Sequence, residues 1–263
     1  MIREGLSKRE AAVQNGFRLR GLKDVSRVEA LSDGVFAFAI TLLVVSLEVP
    51  RTFDELLGMM RGFLAFAITF ALLFNVWHTQ YKFFRRYGLN DNFVVWMTAL
   101  LLFVVLFYVY PLKFVFTLFV NQFMGLPAGF VGPDGVSVPA VRREQLPLMM
   151  SIFGLGFAAV FAVFALLYHH AYRKRRDLGL NELETYDTRT FIGENAANVA
   201  VGLLSIAIAV WGGPRYSLFS GFSYWLLAPL HFIYGSARGR RRRRLEQHLA
   251  REGASAPHLP ADV

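Results

Sequence analysis

Four side chains in one apolar run are placed to hold ions or to tie helices together. In RVEALSDGVFAFAITLLVVSLEVP, residues 27 to 50, Arg27, Ser32 and Asp33 open the run and Thr41 sits in its middle. From Gly34 to Leu47 the run carries no charge. With its polar ends it is long enough to cross a bilayer as a helix of roughly 20 residues. An ionisable group at the edge of such a zone is costly unless it meets a protein partner or a water-filled path. At 100° per residue, Leu31, Gly34, Val35, Phe38, Thr41, Leu42 and Val45 fall within about 60° of one line. Ser32 and Asp33 lie roughly 120–140° from Phe38 on the same wheel. One side therefore suits an apolar lining or seam, and another suits polar contact with neighbouring helices. A first helix buried in a bundle would show the same stripe.

Other polar groups offer less. Asn75 and His78 are three apart and share a helix face. With Trp77 they serve either as interfacial anchors or as partners for Asp33 at the same end of the membrane. His169 and His170 point 100° apart, so they cannot clasp a metal as an i, i+4 pair would. The chain has no cysteine, which removes thiolate nucleophiles, disulfides and Cys-based metal sites. With no spaced nucleophile or metal motif, the residues argue against an enzyme, and no metal or cofactor is expected.

Six helices are predicted to position these groups. The chain has 263 residues, of which 55% are hydrophobic and 26 are Phe, a membrane-protein composition. The helices fall at about residues 27–47, 56–83, 92–119, 148–172, 190–211 and 218–234. Pro111 is expected to kink the third, with Lys113 snorkelling towards the interface. A Gly- and Pro-rich stretch, 121–147, reads as an extramembrane loop, and residues 177–187 as a polar link. Asn195 and Asn198, one turn of the fifth helix, are placed to bond across to another helix. Residues 1–26 read as a basic arm, with a surface helix as one form for it. Residues 27–236 form the membrane domain, and 237–263 a basic tail. Of the 28 Lys and Arg, 22 fall on one side of this topology, which predicts cytoplasmic termini. The basic run next to a membrane helix suits anionic lipid. Without interleaved aromatics or a recognition motif, it does not suit nucleic acid. No signal peptide is visible in the first 26 residues.

The run RVEALSDGVFAFAITLL resembles the first-helix signature of the transmembrane protein 175 family, RxxxFSD followed by an apolar AI-x-x-TLL stretch. Arg27, Ser32 and Asp33 match it, while Leu31 replaces the usual Phe and Phe38 stands where Ile or Leu is common. The resemblance implies a potassium channel whose first helix lines the pore, with potassium as the permeating ion. It also implies an all-α, six-helix subunit without a re-entrant filter, and no TVGYG sequence is present. Prokaryotic members with a single repeat assemble as tetramers, so a homotetramer in a prokaryotic cell membrane is expected. Phe38, Leu42 and Val45 would form the constriction, Thr41 would tune selectivity, and Arg27, Ser32 and Asp33 would brace the helix from behind. The alternative is a secondary transporter or proton-permeable cation carrier, which would want a mid-membrane ionisable group and repeated halves. Neither is evident here.

Overall fold

The computed structural model describes residues 13–14, 17–21, 25–45, 50–125, 129–131 and 137–255. Helices dominate them: α1 (Arg27–Val45), α2 (Phe53–Arg61), α3 (Phe63–Tyr87), α4 (Asn92–Phe123), α5 (Leu146–Arg173), α6 (Glu182–Phe222) and α7 (Leu227–Ser255). Among the described residues, α3, α4, α5 with its leading turn, and α6 as far as Ser217 are long and apolar enough to cross a membrane. At 1.5 Å per residue, the 19 residues of α1 add a rod of about 28 Å.

Several boundaries differ from the sequence reading, each for a local reason. The expected second helix is divided at Gly62, giving α2 before α3, and α3 continues to Tyr87. The third runs on to Phe123 with Pro111 inside it, so the loop starts later than expected. That loop holds a short hairpin, β3 (Gly129–Val131) with β4 (Ser137–Pro139). The polar link becomes the first turns of α6, because Asn181 and Glu184 form a reciprocal capping box there, satisfying two of the helix's orphan N–H groups. The expected sixth helix is interrupted. A 3₁₀ turn, Ser223–Leu226, divides it before α7, while just ahead of it, in the Gly-Gly-Pro-Arg stretch read as a turn, Gly213 takes φ 60° within α6, a left-handed conformation that favours glycine. The basic tail is helical as far as Ser255.

The core lies where α1, α3, α4 and α5 meet. It is built from Phe36, Ala39 and Leu43 of α1 with Leu73, Phe83, Leu101, Val105, Phe164 and Leu167. α5 and α6 form the most extensive helix pair. A Cβ on Gly154 would sit 3.1 Å from the carbonyl of Gly202, and one on Gly202 would sit 3.2 Å from that of Gly154. This mutual close approach of backbones is how small residues join membrane helices.

The ends of α3 and α5 and the starts of α1, α4 and α6 gather at one end of the bundle. There β1 (Val13–Gln14) and β2 (Phe17–Arg18) form an antiparallel hairpin, and residues 1–12 of the expected basic arm lie outside the described residues. Phe17 is 1% exposed and meets the Tyr87 ring edge-on. Arg20 pairs with buried Glu184 at 2.7 Å and donates to the carbonyls of Leu178 and Gly179.

Candidate functional site

The two faces of α1 have different fates. Glu29, Ser32, Phe36, Ala39 and Leu43, spaced three and four apart, are buried against the bundle. Leu31, Gly34, Phe38 and Thr41 are exposed in the protomer, with Phe38 at 56%. Val35 and Leu42 are half-buried at the edge of this bare stripe. The side chain of Val45 lies outside the described residues.

Polar bonds hold the buried face in place. The indole N–H of Trp77 donates to Asp33 Oδ1 at 2.8 Å. The Gln80 amide donates to Ser32 Oγ at 3.2 Å, and the Ser32 hydroxyl donates to the Val28 carbonyl at 2.8 Å. At the far end of the helix, Lys113 Nζ donates to the Leu43 carbonyl at 3.3 Å. A cation at a helix C-terminus offsets the partial negative charge of its free carbonyls. Lys113 thus caps α1 from α4 at the end opposite Asp33.

The structure joins only part of the network read from the sequence. Ser32, Asp33 and Trp77 are connected, but the partner of Asp33 is Trp77, not Asn75 or His78. Asn75 and Arg27 are exposed, and neither side chain bonds to a described residue. His78 stacks on Phe74 and Tyr81. Asn198 does bond across helices, to His231 of α7 at 2.8 Å, whereas Asn195 turns to the Phe191 carbonyl of its own helix.

Two participants were not foreseen. Gln80 is 1% exposed, and its signal was available: it lies seven residues from both Leu73 and Tyr87, on the inward stripe of α3. Glu29 is also buried, in the field of Arg85, and its place on the inward face of α1 marks it. His170 has a structural role. With Lys174 it bonds Asp91 Oδ2, at 2.7 and 2.5 Å, while Asp91 caps α4 through the Val94 N–H. Among the described residues no group of His, Asp and Glu is placed to hold a metal.

A bare apolar stripe with one hydroxyl, backed by a tightly tethered face, can line a path once copies are arranged around an axis. The family model described as endosomal/lysosomal potassium channel TMEM175 matches residues 27–108. A potassium channel of Marivirga tractuosa is 40% identical over 234 residues, which cover 88% of this chain and 94% of that relative. A potassium channel of Chamaesiphon minutus is 34% identical over 96 residues, covering 34% of this chain and 47% of that relative. The crystal structure of a threonine-to-alanine variant of the potassium channel MtTMEM175, bound to a nanobody–MBP fusion, superposes with a TM-score of 0.74. It is 37% identical over 87% of this chain and 99% of its own. With the motif on α1, the matching helical architecture and this full-length relative, the chain belongs to the TMEM175 potassium channel family.

Proposed function

We propose that the chain is a potassium-preferring cation channel of the cell membrane, assembled as a homotetramer around four copies of α1. The observation that carries this reading is the bare face of α1. The stripe that aligns with the family's pore helix is the face that the protomer leaves open. In lipid an apolar stripe could remain uncovered, since hydrocarbon competes with no hydrophobic driving force between helices. The stripe is not uniformly apolar, however. Gly34 leaves a notch with nothing within 4 Å of a built Cβ, and Thr41 presents an oxygen at mid-helix. A closed cyclic arrangement brings four such stripes to one axis.

The ion path then passes rings of Phe38 and Leu42, with Val45 beyond them. Narrow apolar rings conduct poorly when dry, so opening proceeds by widening and wetting. The Thr41 hydroxyl donates to the Ala37 carbonyl at 2.9 Å, which leaves its lone pairs to face a partly dehydrated cation. The end of the bundle that carries the hairpin and the tail helix bears most of the Lys and Arg and faces the cytoplasm by the positive-inside rule. Planar-bilayer recording of the purified protein under potassium/sodium bi-ionic conditions tests the reading. An uncoupled current with a reversal potential favouring potassium supports it. Stoichiometric ion coupling would make the protein a carrier instead.

A further inference from the structure

At the hairpin end of the bundle, a cleft of about 550 Å³ lies between α6, α7, Phe17 and the last turn of α3. Aromatic faces hold two of its guanidinium groups. Arg86 lies 5.2 Å from the Phe17 ring centre and 4.6 Å from that of Phe191. Arg238 lies 5.6 Å from Tyr186 and 4.8 Å from Tyr234. Neither is ion-paired with a carboxylate among the described residues, and the hydrogen bond of Arg238 to Thr190 Oγ1 is long, at 3.4 Å. A guanidinium fixed by ring faces keeps its N–H edge available for an oxyanion. Arg242, by contrast, is engaged by Asp187 at 3.0 Å and Glu246 at 2.5 Å. Glu194, half-buried on the cleft wall in the field of Arg238 and Arg86, has no hydrogen-bond partner among the described residues. The cleft therefore offers two cationic edges and one acceptor-only carboxylate.

Its depth indicates the source of a ligand. The start of α7 is apolar, with Phe232 and Ile233 exposed, and the helix is densely basic from Arg238 onwards. The cleft lies at this change, along Gly235 and Gly239. In a membrane protein such a change marks the level of the lipid headgroups.

We propose that the cleft binds a phospholipid headgroup that carries both a phosphodiester and a primary ammonium. The phosphodiester sits against Arg86 and Arg238, and the ammonium against Glu194. A purely anionic headgroup would set Glu194 against negative charge. A quaternary ammonium would match the charge but has no N–H to donate. The inference rests on the membrane setting and not on conduction, so it stands or falls separately from the channel reading.

Native mass spectrometry of the purified full-length protein, titrated with lipids of matched chains, tests it. Phosphatidylethanolamine is expected to bind about tenfold tighter than phosphatidylcholine or phosphatidylglycerol, the scale of one charge-assisted hydrogen bond. Glu194→Gln should bring phosphatidylethanolamine to the level of phosphatidylcholine. Arg86→Gln with Arg238→Gln should weaken all three lipids. Soluble phosphoethanolamine should bind more weakly than the lipid, and equal affinity would overturn a lipid source in favour of a free phosphate compound. Equal affinity for phosphatidylethanolamine and phosphatidylcholine, tightest binding of phosphatidylglycerol, or a preference that survives Glu194→Gln would overturn the assignment. The lipid ranking on the unaltered protein decides even where a variant does not fold.

Discussion

Trp77 donates its indole N–H to Asp33 at 2.8 Å, joining α3 to the first turns of α1 across 44 positions of sequence. Asp33 is otherwise exposed in the protomer, and the carboxylate points away from the Phe38 stripe. Its expected part is to fix the rotation of α1 and not to touch the ion. Trp77→Phe keeps an aromatic ring and removes the donor, so its cost should be that of one hydrogen bond to a charged group, about 1.5–3 kcal/mol. Asp33→Ala should act in the same direction. Both are expected to lower thermal stability and the yield of assembled protein while leaving the reversal potential unchanged. A well-assembled Asp33→Ala channel with altered ion preference would move Asp33 into the ion path.

Thr41 is expected to tune selectivity. Its hydroxyl proton is already committed to the Ala37 carbonyl, so only the lone pairs face outwards. Four such oxygens around an axis can replace part of a cation's hydration shell, and the isosteric Val cannot. Thr41→Val should keep conduction and lower potassium preference over sodium. The reversal potential under bi-ionic conditions reads this directly, and an unshifted value counts against the role.

The bracing of α1 shows what was legible in the sequence. The motif located the helix and its two faces, because period and polarity are both local. The choice of Trp77 over Asn75 or His78 as the partner of Asp33 was not legible. The three are close in sequence on one helix, and only the rotation of α3 decides which of them points at α1. Gln80 was legible on the inward stripe but stood next to louder signals. The pairing of Arg20 with Glu184 was not legible, since it joins residues 164 positions apart through a hairpin whose strands are only two residues long. The start of α6 was legible from the Asn181 and Glu184 spacing, which is a capping box, but the polarity of the segment concealed it.

Asp91 makes the hairpin end of the bundle sensitive to acid. Burial alone would raise its carboxyl, but hydrogen bonds from Lys174, His170 and the Val94 N–H outweigh that and hold it well below the usual carboxylate range. A carboxyl depressed in the folded state stabilises the fold above its unfolded value, near 3.9, and that stability is lost as pH falls towards the folded value. Melting temperature should therefore be insensitive to this group above about pH 5 and should fall below about pH 4. Asp91→Asn keeps a capping side chain but gives up the charge. It should cost about 2 kcal/mol at neutral pH and flatten the acid limb of the profile. An acid limb as steep as that of the unaltered protein would assign the sensitivity elsewhere.

Phe38 is expected to form the narrowest ring of the path. It is the bulkiest side chain on the bare stripe, more than half exposed in the protomer, and one turn from Leu42. A Phe packed into its own subunit would be buried as Phe36 is, two residues away on the opposite face at 2% exposure. That contrast removes packing within the protomer and leaves the pore, a neighbouring copy or lipid as the place of Phe38. Phe exceeds the Ile or Leu common at this position, so a closed ring of four should exclude water more completely and basal conductance should be low. Shortening it to Ala widens and wets the ring if it lines the path. Phe38→Ala should then raise both open probability and single-channel conductance, with little change in melting temperature. If Phe38 instead packs between copies, truncation should lower tetramer stability, at the about 3–5 kcal/mol typical of a lost buried Phe, and leave single-channel behaviour as it was. Single-channel recording beside a thermal melt separates the two, and unchanged conductance would take Phe38 out of the pore.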